Sequence, residues 1–391
     1  MNTKELDSEY IIGTYKRQDV VLTKGRGAVA FDETGKKYID FGSGIGVNSL
    51  GYCDERWADA VAEQAHRLQH ASNLYYTQPA VRLAKLLCEQ TGYRKALFCN
   101  SGAEANECAI KIARKYCFDK YGAKAKRDKI LTLQNSFHGR TVTTLSATGQ
   151  DVFHNYFFPF TDGFSYAPAN DIDAVKAALS QGGYCAVMFE FIQGEGGVVS
   201  LSKDFVKELF DYCLAHDILT VADEVQTGIG RTGTLLASGQ FGVQPDITTL
   251  AKGLGGGLPI GAVITNEKTM DVLSFGDHGT TFGANPVVCA GAYEALSRIA
   301  DPAFLANVRG KGEKIRAALS GCREAESVTG LGMMLGIGLK TKKAADVLSS
   351  CIEKGLLLLT AKAKIRLLPP LTIDDVTLEK GLQILLSVLD E

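Results

Sequence analysis

The chain has 391 residues, too many for one ordinary core, so two domains, or one large domain with a smaller companion, are expected. Apolar residues make up 46% and charged residues 22%, both globular values, and a formal net charge of −2 without a long basic run removes the electrostatic case for nucleic acid or an anionic membrane surface. The opening MNTKELDSEYIIG lacks the apolar core of a secretion signal, no 18-residue apolar run occurs, and the ten cysteines form no CxxC pair and no metal-ligand spacing, so a cytoplasmic protein with reduced thiols and no metal is expected.

After a polar opening segment, residues 27–41 (GAVAFDETGKKYIDF) alternate around Glu33-Thr34-Gly35, which predicts a hairpin. Helical spacing follows over 57–69 and 77–90. His66 and His70 stand four apart, but with no third ligand and no HExxH frame they are expected on a helix surface. A short strand at 96–99 turns at Asn100-Ser101-Gly102-Ala103-Glu104 into a helix. In that helix Cys108, Ala109, Ile112, Ala113, Tyr116 and Cys117 repeat with a 3.6-residue period until Gly122. Further strands are expected at 130–133, 185–189, 219–222, 247–250 and 262–265, with helices over 203–216 and 285–299. Beyond residue 301 the expected pattern is helix (307–318), strand (333–339), helix (342–354) and short strands around 365–368.

Strands alternating with helices over 95–265 argue for an α/β unit with a mainly parallel sheet covered on both faces. A smaller α+β domain is expected from both termini, with residues 1–48 and 291–391 flanking a large domain of 49–290.

Two strand ends stand out. Asp223 follows the run at 219–222 and Lys252 the run at 247–250; if these strands are parallel neighbours, both side chains emerge at the carboxyl edge, where open α/β sheets bind ligands. A lysine and an acid facing one another suit pyridoxal phosphate, which needs an amine to carry it covalently and an acid to keep its ring nitrogen protonated. Gly253 and Gly255 to Gly257 would leave room for a flat ring. The plain alternative is a solvated loop lysine. Ser101 and Gly102 at a helix start offer an anion cup, or only an ordinary helix cap. Phe137 and Arg140 offer a ring to stack and a fork for a carboxylate, or only a buried phenylalanine and a surface arginine. Residues 228–233 match GxGxxG, yet the dinucleotide fingerprint needs a helix opening on the glycines, and 234–242 is short and glycine-broken.

Taken together, NSGAEAN (100–106), SFHGRT (136–141), QGEGG (193–197), DEVQTGIGRTG (223–233), TLAKGLGGGLPIGA (249–262), HGTTFGANP (278–286) and RLLPPL (366–371) resemble the class III aminotransferases of pyridoxal-phosphate fold type I, nearest the acetylornithine group. The resemblance spans almost the whole chain. It implies a seven-stranded-type large sheet and a homodimer with active sites at the subunit interface. It further implies that Lys252 binds pyridoxal 5′-phosphate covalently and moves the proton, Asp223 holds the ring nitrogen, and Gln226 contacts the phenolic oxygen. Phe137 and Val225 would enclose the ring, while Gly102 and Ala103, with Ser101 nearby, would take the phosphate, completed by Thr281 of the other subunit. Arg140 and Thr280 would contact substrate, and Arg366 would receive a second carboxylate, with Glu195 as its alternate partner. The implied reaction moves the δ-amino group of N2-acetyl-L-ornithine to 2-oxoglutarate, giving N-acetyl-L-glutamate 5-semialdehyde and L-glutamate. Succinylornithine, succinyldiaminopimelate, ornithine and 4-aminobutyrate remain as other amine donors. Two departures from the family pattern, Gly51-Tyr52-Cys53-Asp54 for a GHxHP-like run and Phe191 for a proline, bear on loop shape and substrate choice.

Overall fold

The structure, a computed structural model, describes residues 1–391. Its centre is a seven-stranded sheet of β1 (Lys95–Cys99), β2 (Lys129–Leu133), β3 (Phe164–Ala167), β4 (Tyr184–Phe189), β5 (Leu219–Asp223), β6 (Ile247–Leu250) and β7 (Gly261–Thr265). The spatial order is β1-β7-β6-β5-β4-β2-β3. Only β7 runs against its neighbours; the other strands point the same way, so their carboxyl ends share one edge.

Strand β4 shows why the sheet is covered twice. All six of its residues are buried, and successive side chains point to opposite faces. Ala186 and Met188 pack with Ala105, Cys108, Ala109 and Ile112 of the helix Gly102–Tyr121. Val187 and Phe189 pack with Val175 of the helix Ile172–Leu179 and with Phe205, Val206 and Leu209 of the helix Lys203–Ala215. Burying one such large apolar side chain stabilises the fold by roughly 1.5–3 kcal/mol.

The hairpin expected around Gly35 is formed by Val29–Asp32 and Lys37–Asp40, and Leu356–Leu357 from the other end of the chain adds to it in parallel. A second, antiparallel sheet contains Ala325–Leu331, Met334–Leu339, Leu359–Ala361 and Lys364–Leu367. Helices Pro302–Ser320, Ala344–Glu353 and Asp375–Asp390 contribute Ile315, Val347 and Leu385 to the same core as Phe41 of the hairpin.

Several elements differ from the sequence reading. The polar opening segment contains a helix, Thr3–Tyr10, begun by an Asn2–Glu5 capping box and with no buried residue. The edge strand β3, the helix Ile172–Leu179, the strand Ala325–Leu331 and the final helix Asp375–Asp390 were not assigned from sequence. His66 is on a helix surface, but that helix ends at Arg67, and His70 lies beyond it with its ring 5.5 Å from that of Phe282. Of the ten free cysteines only Cys53 is exposed. No helix is long and apolar enough to cross a membrane.

Candidate active site

At the carboxyl edge of the sheet a cavity of about 470 Å³ opens between the exits of β1, β2, β4, β5 and β6. It is lined by Ser101, Gly102 and Ala103 after β1, by Phe137 and Arg140 after β2, and by Glu190 and Glu195 after β4. Asp223, Val225 and Gln226 line it from β5, and Lys252 from β6. β5 and β6 are parallel neighbours in which Asp223 pairs with Thr249, so the acid and the lysine reach one edge as the strand composition implies.

Ser101 caps the helix Gly102–Tyr121, its Oγ accepting the Glu104 N–H at 3.2 Å. The first-turn N–H groups of Gly102 and Ala103 have no helical partner and stand at the cavity wall, as an anion cup requires. The cap and the cup are therefore one structure. A Cβ on Gly102 would lie 2.8 Å from the Val225 side chain, which fixes how closely Val225 approaches this wall.

Asp223 is 3% exposed. Its Oδ1 accepts the Val225 N–H at 3.0 Å, and its Oδ2 accepts from Asn106 Nδ2 and from His138 Nδ1, both at 2.8 Å. Lys252 has a left-handed φ of 44°, a conformation a lysine occupies only under constraint from its surroundings. It keeps some solvent contact along the cavity, yet burial by the surrounding protein pushes its pKa down, with Glu195 opposing and Arg366 reinforcing that shift. Gly257 lines the cavity, but two other glycines after Lys252 do a different job from the one their sequence implies. A Cβ on Gly255 would meet the Leu258 carbonyl oxygen at 2.0 Å and one on Gly253 the Ser49 hydroxyl at 2.6 Å, so these glycines let the loop fold against protein rather than make room for a ring.

The two arginines are held differently. Arg366, on the strand Lys364–Leu367, is 3% exposed and does not itself line the cavity. Its Nη1 donates to Glu195 Oε1 at 2.5 Å and to Gln226 Oε1 at 3.2 Å, so Glu195 stands in front of it. Burial alone would raise the Glu195 pKa, but the Arg366 guanidinium overrides this and holds it below the usual carboxylate range. Arg140 forms no ion pair; its guanidinium lies 4.0 Å from the Phe153 ring centroid and 5.4 Å from that of Phe137. One guanidinium is masked and one is open.

Thr280 and Thr281 are not brought to this cavity. Thr280 Oγ1 accepts from Asn100 Nδ2 at 3.0 Å, and both threonines line a separate surface concavity with Asn73, Leu74 and Phe275. Around it Leu74, Tyr75, Tyr76, Phe275 and Phe282 are exposed. Of the two departures, Tyr52 lies near the buried Asp40, and Phe191 stacks on Phe241 at 4.8 Å inside the core.

Sequence reasoning gave no role to four polar residues here: Asn106, His138, Glu190 and Thr249. Glu190 accepts the N–H groups of Phe137 (3.0 Å) and Gly194 (3.4 Å), tying together the loops after β2 and β4, and burial, with Asp223 nearby, pushes its pKa well up. All four lie inside quoted motifs or at a strand end, but Asn106 and Thr249 also sit within regular elements, where nothing in the local sequence shows that they meet.

Residues 13–389 match the model of the class-III aminotransferases, and the chain belongs to that family of transaminases. A relative from Haemophilus ducreyi named acetylornithine aminotransferase is 52% identical over 389 residues, 99% of this chain and 98% of the relative. One of the same name from Methanocaldococcus jannaschii is 43% identical, covering 100% of this chain and 97% of its own length. Among solved structures, the N-acetylornithine aminotransferase of Stenotrophomonas maltophilia superposes with a TM-score of 0.86 at 35% identity, covering 99% of this chain and 98% of that one. The ornithine aminotransferase of Toxoplasma gondii ME49 superposes with a TM-score of 0.95 at 32% identity, covering 100% and 95%. The family indicates dependence on pyridoxal phosphate.

Proposed function

We propose that this chain transfers the δ-amino group of N2-acetyl-L-ornithine to 2-oxoglutarate, yielding N-acetyl-L-glutamate 5-semialdehyde and L-glutamate, with pyridoxal 5′-phosphate bound in the cavity at the carboxyl edge of the sheet. The residues present fit that cofactor: free N–H groups at a helix start for a phosphate, a buried acid for a ring nitrogen, and a lysine whose pKa burial lowers. When bound, the cofactor supplies an electron sink that stabilises negative charge on the carbon losing its proton.

The chain supplies the rest. Gly102 and Ala103, with Ser101 nearby, would hold the phosphate, completed by Thr281 of a second copy. Phe137 and Val225 would enclose the ring, Gln226 would contact its phenolic oxygen, and Asp223 would keep the proton on its nitrogen. Lys252 would hold the cofactor covalently, and its amine would move a proton to and from the reacting carbon of the substrate. Arg140 contacts substrate and receives the α-carboxylate of the amine donor, and Thr280, which lies outside this cavity in its own chain, contacts substrate from the second copy.

The observation that carries the choice of substrates is the masked Arg366 beside the open Arg140. A donor with one carboxylate binds Arg140 and leaves Arg366 paired to Glu195; glutamate, with two, takes Arg366 when Glu195 swings away. One pocket thereby serves both halves of a ping-pong reaction without leaving a buried guanidinium unpaired. The sequence likeness of 52% to an acetylornithine aminotransferase favours acetylornithine over succinylornithine, succinyldiaminopimelate, ornithine and 4-aminobutyrate. The close superposition on an ornithine aminotransferase supports the shared scaffold.

The protein is read as a cytoplasmic homodimer with a large domain of 49–290 and a small one of 1–48 and 291–391. The exposed Leu74, Tyr75, Tyr76 and Phe275 around Thr281 support the dimer. The deciding experiment mixes holoenzyme with each candidate amine and follows the loss of visible cofactor absorbance in a single half-reaction. Acetylornithine is expected to give the highest second-order rate constant; a higher value for ornithine or 4-aminobutyrate would overturn the assignment.

A further inference from the structure

We infer that Asn106 is a positioning residue for Asp223: its amide, held by the His138 carbonyl and Thr249, sets the direction in which the Asp223 carboxyl group faces the cofactor ring nitrogen. The inference rests on reading the cavity as the pyridoxal-phosphate site. Asn106 lies one turn into the helix Gly102–Tyr121, 1% exposed, on a face otherwise built from Ala105, Cys108, Ala109, Ile112 and Ala113. An amide on such a face is costly unless its hydrogen-bonding groups are matched, and these are. Nδ2 donates to Asp223 Oδ2 at 2.8 Å and to the His138 carbonyl oxygen at 2.7 Å, and Oδ1 accepts from Thr249 Oγ1 at 2.7 Å.

Thr249 anchors the oxygen end of the amide. It is the register partner of Asp223 across β5 and β6, so the strand that carries the acid and its neighbour reach the same asparagine from two sides. The Asp223 carboxylate and the His138 carbonyl only accept, so the NH₂ end must face them, and the Thr249 hydroxyl, able to donate or accept, donates to Oδ1. A reversed amide would set its oxygen against the Asp223 carboxyl oxygen and turn an N–H toward the Thr249 hydroxyl. The three residues come from a helix and two strands, and the contact forms only when helix and sheet are docked.

The other partners of Asp223 do not make Asn106 redundant. The Val225 N–H holds Oδ1, while Oδ2 is shared by Asn106 and His138. His138 Nε2 is buried without a hydrogen-bond partner, so that ring is anchored at the Nδ1 end alone, through the acid it contacts. Asn106 is anchored independently, by Thr249 and the His138 carbonyl. A neutral amide also suits the site chemically: it orients the acid without cancelling the charge that must hold a proton on the ring, as a lysine or arginine in its place would.

The test compares two cofactors. Wild-type apoprotein, Asn106→Leu and Thr249→Val are each reconstituted with pyridoxal 5′-phosphate and with its 1-deaza analogue, in which the ring nitrogen is replaced by C–H, and dissociation constants are measured by equilibrium titration. Wild type should prefer the natural cofactor, and Asn106→Leu should shrink that preference about tenfold, the worth of one oriented hydrogen bond to a charged group. Thr249→Val should shift it the same way by a smaller factor, and it carries the test if Asn106→Leu does not fold. A role confined to docking the helix would weaken both cofactors equally, so an unchanged preference in the variants overturns the inference. Absence of any preference in wild type would overturn the role of Asp223 itself.

Discussion

Lys252 leaves β6 in a left-handed backbone conformation and carries its amine into a cavity whose walls lower its pKa. The sign matters. A lysine pKa depressed by burial means a larger fraction of neutral amine near neutral pH, the form that bonds to a carbonyl and accepts a proton. Lys252→Ala is expected to keep pyridoxal phosphate non-covalently, detectable by absorbance after ultrafiltration, while transamination falls by at least about 10³-fold; retention of turnover near the wild-type rate would remove the lysine from the chemistry. At this scale the sequence was informative where a motif places a residue at a strand exit, as for Asp223, Lys252, Phe137 and Arg140. It placed Asn106 and Thr249 inside motifs but gave them no role, because their contact crosses from a helix to the sheet and has no spacing along the chain. It also gave the glycines near Lys252 the task of making room for a ring, whereas Gly253 lies against Ser49 from a distant part of the chain and Gly255 against the Leu258 carbonyl of its own turn.

Among elements, the loop after β5 shows how a motif can mislead. Its GxGxxG run begins no helix: Gly230 N–H bonds the Leu235 carbonyl, and the buried Arg231 donates to the carbonyls of Met333 and Pro369. The run therefore ties the large sheet to the C-terminal part of the chain. Glu224 braces the same loop, its Oε1 accepting the Ser238 N–H at 2.9 Å and its Oε2 the Ala237 N–H at 2.5 Å. Burial pushes its pKa up from 4.5 to about 7. A carboxyl raised in the folded state stabilises the fold fully below its unfolded pKa and loses that contribution as pH rises through the folded value, here from about 4.5 to about 7, at a total of about 3 kcal/mol. Glu224→Gln is expected to flatten the fall of Tm across that interval relative to wild type; parallel Tm profiles for the two proteins would contradict the assignment. Elements with strong periodicity, such as Gly102–Tyr121 and Lys203–Ala215, were legible in the sequence to within a residue or two. The edge strand β3, four residues long and half exposed, lacks the continuous apolar run of a central strand.

For the whole molecule, a mainly parallel sheet with one reversed strand sends five strand exits into one cavity, and the C-terminal sheet delivers Arg366 to its side. Strand order was beyond the sequence reading, since β1 reaches its place beside β7 across more than 150 intervening residues. The separate position of Thr281, amid exposed apolar side chains, gives the proposed dimer a specific consequence. Thr281→Ala should weaken cofactor binding about tenfold while light scattering still reports two subunits; unchanged affinity would place that threonine outside the site. Central to the proposed function is one pocket serving two kinds of substrate through the Glu195–Arg366 pair. Single-turnover rates of both half-reactions in Glu195→Ala test this most directly. The 2-oxoglutarate half should proceed near the wild-type rate, because Arg366 is then free to receive the second carboxylate, and the acetylornithine half should slow by roughly tenfold to a hundredfold with the guanidinium left unpaired. Equal loss in both halves would contradict it.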